Sequence, residues 1–89
     1  DQYTILYVDD EESNLRIFKT TFKRQFHIVT MSNPFEALQF MQQNPAPIVV
    51  SDHRMPQMTG VEFLAKVYQL FPQTVRMILT GYCDVNNTI

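Results

Sequence analysis

The strongest constraint on the fold of this chain is an alternation of short apolar runs with segments of helical periodicity. Each run is rich in Ile, Val, Leu and aromatic residues, which favour β-strands. Continuous apolar runs of this length are typical of strands that are covered on both faces, as in a parallel sheet. The runs predicted as strands span residues 4–8, 27–31, 48–51 and 75–79.

Between these runs, apolar residues recur at three- and four-residue spacing, which predicts three helices. The first begins at Ser13 or a neighbouring acid, and the second follows the N-cap signal Asn33-Pro34. The third covers about residues 61–71 and ends before Pro72. Strands that alternate with helices predict an α/β fold, a parallel sheet with helices on both faces. We expect residues 1–89 to form one domain.

Composition narrows the classes of function. A net charge of −2 and a pI of about 5.5 argue against a general binder of nucleic acid or membrane surfaces. No apolar run approaches the roughly 20 residues of a membrane span, and no signal peptide is visible at the start of the chain. The single cysteine, Cys83, excludes an internal disulfide and fits a reducing cytoplasm. We therefore expect a cytoplasmic domain.

Acidic and hydroxyl residues stand where the predicted strands end. Asp9 and Asp10 follow the first strand, Asp52 the third and Thr80 the fourth. Ligands of open parallel α/β sheets bind at the carboxyl ends of the strands, and converging carboxylates repel one another unless a cation joins them. Carboxylate oxygens suit Mg²⁺. Any one of these residues alone is most simply an ordinary turn residue, but their combination at three strand ends predicts a Mg²⁺ site.

Three segments carry a more specific resemblance. Residues 5–11 read Ile-Leu-Tyr-Val-Asp-Asp-Glu, residues 52–60 read Asp-His-Arg-Met-Pro-Gln-Met-Thr-Gly, and residues 79–81 read Leu-Thr-Gly. Over its whole length the chain resembles bacterial response-regulator receiver domains of two-component signalling, the chemotaxis-regulator-like family. The resemblance implies a flavodoxin-like, doubly wound sheet with strand order 2-1-3-4, from which a fifth strand and a fifth helix are missing.

The resemblance also implies a metal-dependent phosphoacceptor. Asp52 would accept a phosphoryl group from a sensor histidine kinase or phosphotransfer protein. Asp10 and Asp52 would ligate Mg²⁺ directly, Asp9 mostly through water, and the backbone carbonyl of Arg54 would supply a further ligand. Such a domain is a signalling phosphoacceptor and not an enzyme in the usual sense, with at most self-phosphorylation and autodephosphorylation.

Further residues would contact the phosphoryl group. The resemblance implies that the Thr80 hydroxyl hydrogen-bonds it and acts as a switch, and that Gly81 leaves room for its oxygens. The side chain of Arg54 lies near the site in sequence and is a candidate for the same contact. His53 is expected to be an exposed loop residue.

The sequence departs from the family pattern at its end. It stops inside the predicted fourth helix, and its three lysines, Lys19, Lys23 and Lys66, lie in helices, so none corresponds to the family's fifth-strand lysine. The fourth strand would then be an exposed edge. We expect a homodimer or an element-swapped oligomer through this region, including residues 82–89.

Two other functions remain open at this point. The chain could be a dimerisation or docking module that is not productively phosphorylated. It could also be a Mg²⁺-dependent phosphohydrolase with an aspartyl nucleophile, although such enzymes usually carry Asp-x-Asp at the first strand, whereas Asp9 and Asp10 are adjacent here. The regulated output cannot be read, and we expect no direct contact of this domain with nucleic acid or membrane.

Overall fold

The sheet is parallel throughout and has its first strand in the interior. The structure, a computed structural model, describes residues 2–79. Its strands run in the order β2-β1-β3-β4, which confirms the order expected from the resemblance. β1 is buried along most of its length because it pairs with β2 on one side and β3 on the other. The strand bounds are β1 Thr4–Val8, β2 His27–Met31, β3 Ile48–Asp52 and β4 Val75–Leu79.

Three helices connect the strands of the described part: α1 Glu12–Phe22, α2 Pro34–Gln43 and α3 Gly60–Leu70. At the start of α2, the Asn33 side chain accepts N–H groups from Phe35 at 2.8 Å and Glu36 at 3.3 Å, as the Asn-Pro signal predicts. The N-cap of α1 is Glu11 and not Ser13, so a neighbouring acid starts that helix.

A capping box opens α3. The Thr59 hydroxyl accepts the Glu62 N–H at 3.1 Å, and the Glu62 carboxylate accepts the Thr59 N–H at 2.9 Å. This reciprocal pair satisfies two backbone donors that a helix start would otherwise leave without partners. The helix start is thereby fixed directly after the loop that follows β3.

The helices cover the two faces of the sheet unequally. On one face, α1 buries Leu15 and Phe18 against Ile5, Tyr7 and Val50. On the other, α2 and α3 contribute Ala37, Met41, Phe63, Leu64 and Val67 to a larger core. Among the described residues, the α1 face thus has one covering helix and the opposite face has two.

β4 lies at the edge of the described sheet, as the sequence predicts. Its residues Val75, Met77 and Leu79 are 50%, 51% and 43% exposed. No helix among residues 2–79 is long and apolar enough to span a membrane. Thr80, Gly81 and the expected fourth helix lie outside the described residues.

Candidate functional site

Three carboxylates come together at the carboxyl end of the sheet. Asp9 and Asp10 directly follow β1, and Asp52 is the last residue of β3. Because β1 and β3 are neighbouring parallel strands, their ends meet at one edge. One oxygen from each of Asp9, Asp10 and Asp52 lies within 4.8 Å of the others. We refer to these three residues as the acidic cluster.

Asp9 is the buried member of the acidic cluster, with 1% of its surface exposed. Its Oδ2 accepts hydrogen bonds from the Tyr7 hydroxyl at 2.6 Å and the Asn14 side-chain amide at 3.1 Å. Its Oδ1 accepts the backbone N–H of Glu11 at 2.9 Å, which ties the end of β1 to the start of α1. These donors satisfy a carboxylate that burial would otherwise destabilise.

Asp10 is exposed and Asp52 is half-buried, so both can be reached from solvent. Burial and the negative charge of Asp9 raise the pKa of the Asp52 carboxyl above its usual value, and the charge of Asp10 adds to this. Nearby backbone N–H groups of His53 and Arg54 oppose the rise in part. Burial, first, and the charge of Asp9, second, therefore both disfavour the ionised form of Asp52.

Tyr7 packs between Asp9 of the acidic cluster and helix α1. Its ring stacks on Phe18 of α1, with ring centroids 4.2 Å apart and an angle of 19° between the planes. Burial and the Asp9 carboxylate raise the pKa of the Tyr7 hydroxyl above its usual range, so it remains a hydrogen-bond donor. A cavity of about 300 Å³ opens beside it, and its lining includes Asp9, Asn14 and Asp52.

The loop after β3 is held against the strand by Gly60. The Gly60 N–H donates to the His53 carbonyl at 2.9 Å. A Cβ at Gly60 would overlap the Asp52 carbonyl oxygen and lie 3.1 Å from its carbonyl carbon and 3.2 Å from the His53 Cα. All three are backbone atoms, so only glycine permits this approach.

The expectation that His53 is an exposed loop residue is wrong. The side chain is half-buried, and its Nδ1 is enclosed without a hydrogen-bond partner among the described residues. The reason is tertiary, because the approach of Gly60 folds the loop back onto the strand end and draws His53 inward.

The remaining predicted site residues stand as follows. Arg54 is exposed in the loop two positions after Asp52. Thr80 and Gly81, expected to contact a phosphoryl group, fall outside the described residues. Sequence reasoning missed Tyr7 and Asn14, which contact Asp9 directly. The spacing of Asn14 from Asp9, five residues on and within the first turn of α1, was the available signal.

The residues of the acidic cluster fit a hard divalent cation. Carboxylate oxygens are the ligands that Mg²⁺ prefers, and Asp10 and Asp52 retain access to solvent for the waters that Mg²⁺ usually keeps. Burial is the larger cause of the raised pKa of Asp52, and a cation would offset the second cause, the negative charges of Asp9 and Asp10.

Comparisons with known proteins agree with this geometry. The family model of the response regulator receiver domain matches residues 5–89. The hydrogenase transcriptional regulatory protein HoxA of Cupriavidus necator is 36% identical over 88 residues, which cover 99% of this chain. The chain spans 18% of the length of that relative.

Solved structures show the same likeness. The crystal structure of an uncharacterized protein from Neptuniibacter caesariensis is 37% identical with a TM-score of 0.88, and the match covers 97% of this chain and 64% of that one. The signal receiver domain of an HD domain-containing protein from Pseudomonas fluorescens Pf-5 is 30% identical with a TM-score of 0.84. That match covers 90% of this chain and 60% of the other.

Proposed function

We propose that this chain, which belongs to the response regulator receiver domain family, accepts a phosphoryl group on Asp52 in a Mg²⁺-dependent reaction and thereby switches a downstream output. The observation that carries the proposal is the meeting of Asp9, Asp10 and Asp52 within 4.8 Å at one strand edge. The segment from Asp52 to Gly60 matches the family signature in the loop that the structure folds against this edge.

Phosphoryl transfer to Asp52 requires mainly that the carboxylate be correctly positioned and that negative charge be offset. Asp52 ends a strand in the sheet and is half-buried, which orients its carboxylate while leaving it open to a donor. One of its oxygens forms a bond to phosphorus, while the bond from phosphorus to the donor nitrogen breaks and its electron pair stays on nitrogen. A bound divalent cation would offset the negative charge on the phosphoryl oxygens. Asp9, Asp10 and Asp52, with the Arg54 carbonyl, would hold that cation.

The proposal also includes the residues that would contact the bound phosphoryl group. We assign them to the Thr80 hydroxyl, the Gly81 backbone region and the Arg54 side chain. A phosphoryl group adds about −1.5 to −2 charges and strong acceptor oxygens, enough to draw a hydroxyl donor toward it. Thr80 follows β4 directly, and β4 pairs with β3 up to Asp52. Leu79, the residue before Thr80 in the sequence, pairs with Asp52 in this register, and that pairing supports the assignment.

The partner that fits this chemistry is a histidine kinase or phosphotransfer protein, as for receiver domains generally. The names of similar proteins point to different outputs, a hydrogenase transcriptional regulator in one case and an HD domain-containing protein in another. This chain matches 18% of the first protein and 60% of the solved chain of the second. We therefore propose a receiver role for this chain without assigning a particular output.

The test is labelling by a small phosphodonor. We expect acetyl phosphate with Mg²⁺ to add the mass of one phosphoryl group, and Asp52→Asn to abolish the addition. Asp10→Asn should reduce it because the metal site loses a carboxylate, whereas Glu36→Gln on α2 should leave it unchanged. Intact-protein mass spectrometry reads all four proteins. The proposal is wrong if the unsubstituted protein gains no mass, or if Asp52→Asn gains as much as it does.

A further inference from the structure

We propose that Tyr7 is a positioning residue of the acidic cluster, holding Asp9 through its hydroxyl so that the cluster binds a divalent cation more tightly. This inference rests on the proposed function, because it requires the cluster to bind Mg²⁺. It concerns a side chain that lies behind Asp9 and carries no negative charge itself. Tyr7 therefore differs in kind from the three carboxylates that would hold the ion directly or through water.

The contact between Tyr7 and Asp9 is short and buried. The hydroxyl donates to Oδ2 of Asp9 at 2.6 Å, and 3% of Tyr7 and 1% of Asp9 are exposed. Hydrogen bonds from a hydroxyl to a charged oxygen at this distance are among the stronger ones in proteins. The contact therefore fixes the orientation of Asp9.

The ring of Tyr7 is itself immobilised. Phe18 stacks on it at 4.2 Å, and Phe22 packs on Phe18 with ring centroids 4.8 Å apart. The Tyr7 backbone lies in the interior strand, paired with Thr30 on one side and Val50 on the other. Both the ring and the strand therefore prevent the hydroxyl from following Asp9 if the carboxylate rotates.

The distribution of donors determines which oxygen of Asp9 is left for a ligand. Tyr7 and Asn14 both donate to Oδ2, while within residues 2–79 Oδ1 accepts only the Glu11 N–H. A carboxylate offers about four lone-pair sites, two on each oxygen. The remaining acceptor capacity is therefore on Oδ1, which can take either a cation or a water bound to it. The partners that orient metal-binding carboxylates typically change metal affinity by about 10- to 100-fold when they are removed.

A purely structural role for Tyr7 makes a different prediction. If the hydroxyl only satisfied a buried carboxylate, its removal would lower the stability of the metal-free protein and leave the dissociation constant for Mg²⁺ unchanged. The positioning role requires that this constant change. The two roles are therefore separated by metal affinity, which can be measured independently of stability.

The experiment is a Mg²⁺ titration of Tyr7→Phe by isothermal titration calorimetry. Phenylalanine keeps the stack on Phe18 and removes only the hydroxyl. We expect the Kd for Mg²⁺ to rise about 10-fold, with Asn14→Ala changing it in the same direction because the second donor to Oδ2 is lost. Tyr3→Phe, which removes a hydroxyl from an exposed tyrosine just before β1, should leave the Kd unchanged.

Each outcome decides a different question. If Tyr7→Phe and the unsubstituted protein bind Mg²⁺ equally, the positioning role is wrong, while phosphoryl labelling of Asp52 would still support the proposed function. If the unsubstituted protein does not bind Mg²⁺, the metal site and the positioning role both fall. Should Tyr7→Phe lose the circular dichroism of the folded protein, Asn14→Ala decides the question, because an unchanged Kd in that variant contradicts the role of the Oδ2 donors.

Discussion

At the scale of single residues, the surroundings of Asp52 in the acidic cluster make its ionised form unfavourable. Burial and the Asp9 carboxylate raise its pKa in the folded, metal-free protein above the usual 3.8. The folded state therefore holds its proton to higher pH than the unfolded state does. The favourable contribution of the protonated Asp52 is fully present below pH 3.8 and is lost as the pH rises through the higher pKa of the folded state. At neutral pH, the ionised Asp52 destabilises the metal-free fold.

Asp52→Asn should accordingly stabilise the protein at neutral pH without Mg²⁺. Solvent screens this half-buried carboxylate, so we expect roughly 1 kcal/mol or less. This corresponds to a rise in Tm of about 4 °C for a domain of this size. Below pH 3.8 the gain should disappear, because the carboxyl is then protonated in both states. Thermal unfolding followed by circular dichroism across pH measures both effects.

Glu36→Gln provides the control with opposite sign. It also removes one negative charge, but Glu36 lies in the first turn of α2, where the helix dipole favours an acid. We expect its Tm to stay the same or fall slightly at neutral pH. Equal stabilisation by both variants would show that net charge, and not the acidic cluster, is responsible.

At the scale of elements, the joint between β3 and α3 connects the stability of the fold to the site. Gly60 is the first residue of α3 and lies against the backbone of Asp52, while the neighbouring Thr59 caps the same helix. The two residues are adjacent in sequence but have different structural roles. Thr59 satisfies the helix start, and Gly60 sets how closely that start approaches the aspartate.

Gly60→Ala and Thr59→Ala should therefore both lower stability but differ in their effect on Mg²⁺ binding. Overpacking against fixed backbone atoms typically costs about 1–3 kcal/mol, and loss of a threonine cap about 0.5–2 kcal/mol. Both variants should lower the free energy of unfolding in urea. Only Gly60→Ala should also weaken Mg²⁺ binding, because its new methyl group displaces the end of β3. A loss of Mg²⁺ affinity in Thr59→Ala of the same size would contradict this division.

Much of the element structure was predictable from sequence because local signals and tertiary packing agree. The apolar runs give the strands, and Asn33-Pro34 marks the start of α2. The capping box of Thr59 and Glu62 is equally readable in the sequence. By contrast, the hydroxyl of Tyr7 could not be assigned, since a tyrosine in a strand is usually read as a core residue. Its partner Asp9 is two positions away, directly after the strand, and the approach of Gly60 to the His53 backbone exists only in the folded loop.

At the scale of the whole molecule, the face of the sheet covered by α1 is the less protected one. Val75, Met77 and Leu79 alternate along β4 and therefore lie on one face. Val75 and Met77 pair in register with Ile48 and Val50, and Leu79 pairs with Asp52. An apolar groove of about 350 Å³ runs between this part of β4 and α1. Exposed apolar faces and unpaired strand edges favour association.

We expect the 89-residue chain to self-associate through this face. Sedimentation equilibrium should show a dimer whose population grows with protein concentration, and Met77→Lys should shift it toward monomer by placing a charge in the interface. Val61→Lys introduces the same charge at an exposed apolar position of α3, on the other side of the sheet, and should leave association unchanged. A strictly monomeric chain at all concentrations would rule out the interface.

The strand order also has a consequence for how the chain folds as it is made. β1 is synthesised first, yet in the sheet it stands between β2 and β3, and Ile5 pairs with both Ile28 and Ile48. At about 5–20 residues per second, the ribosome completes the second of these partners several seconds after the first strand. During that interval the apolar β1 segment of the nascent chain lacks one of its two neighbouring strands, and a local hairpin cannot replace it because both pairings are parallel. The acidic cluster, which needs the ends of both β1 and β3, therefore assembles only after most of the domain has left the ribosome.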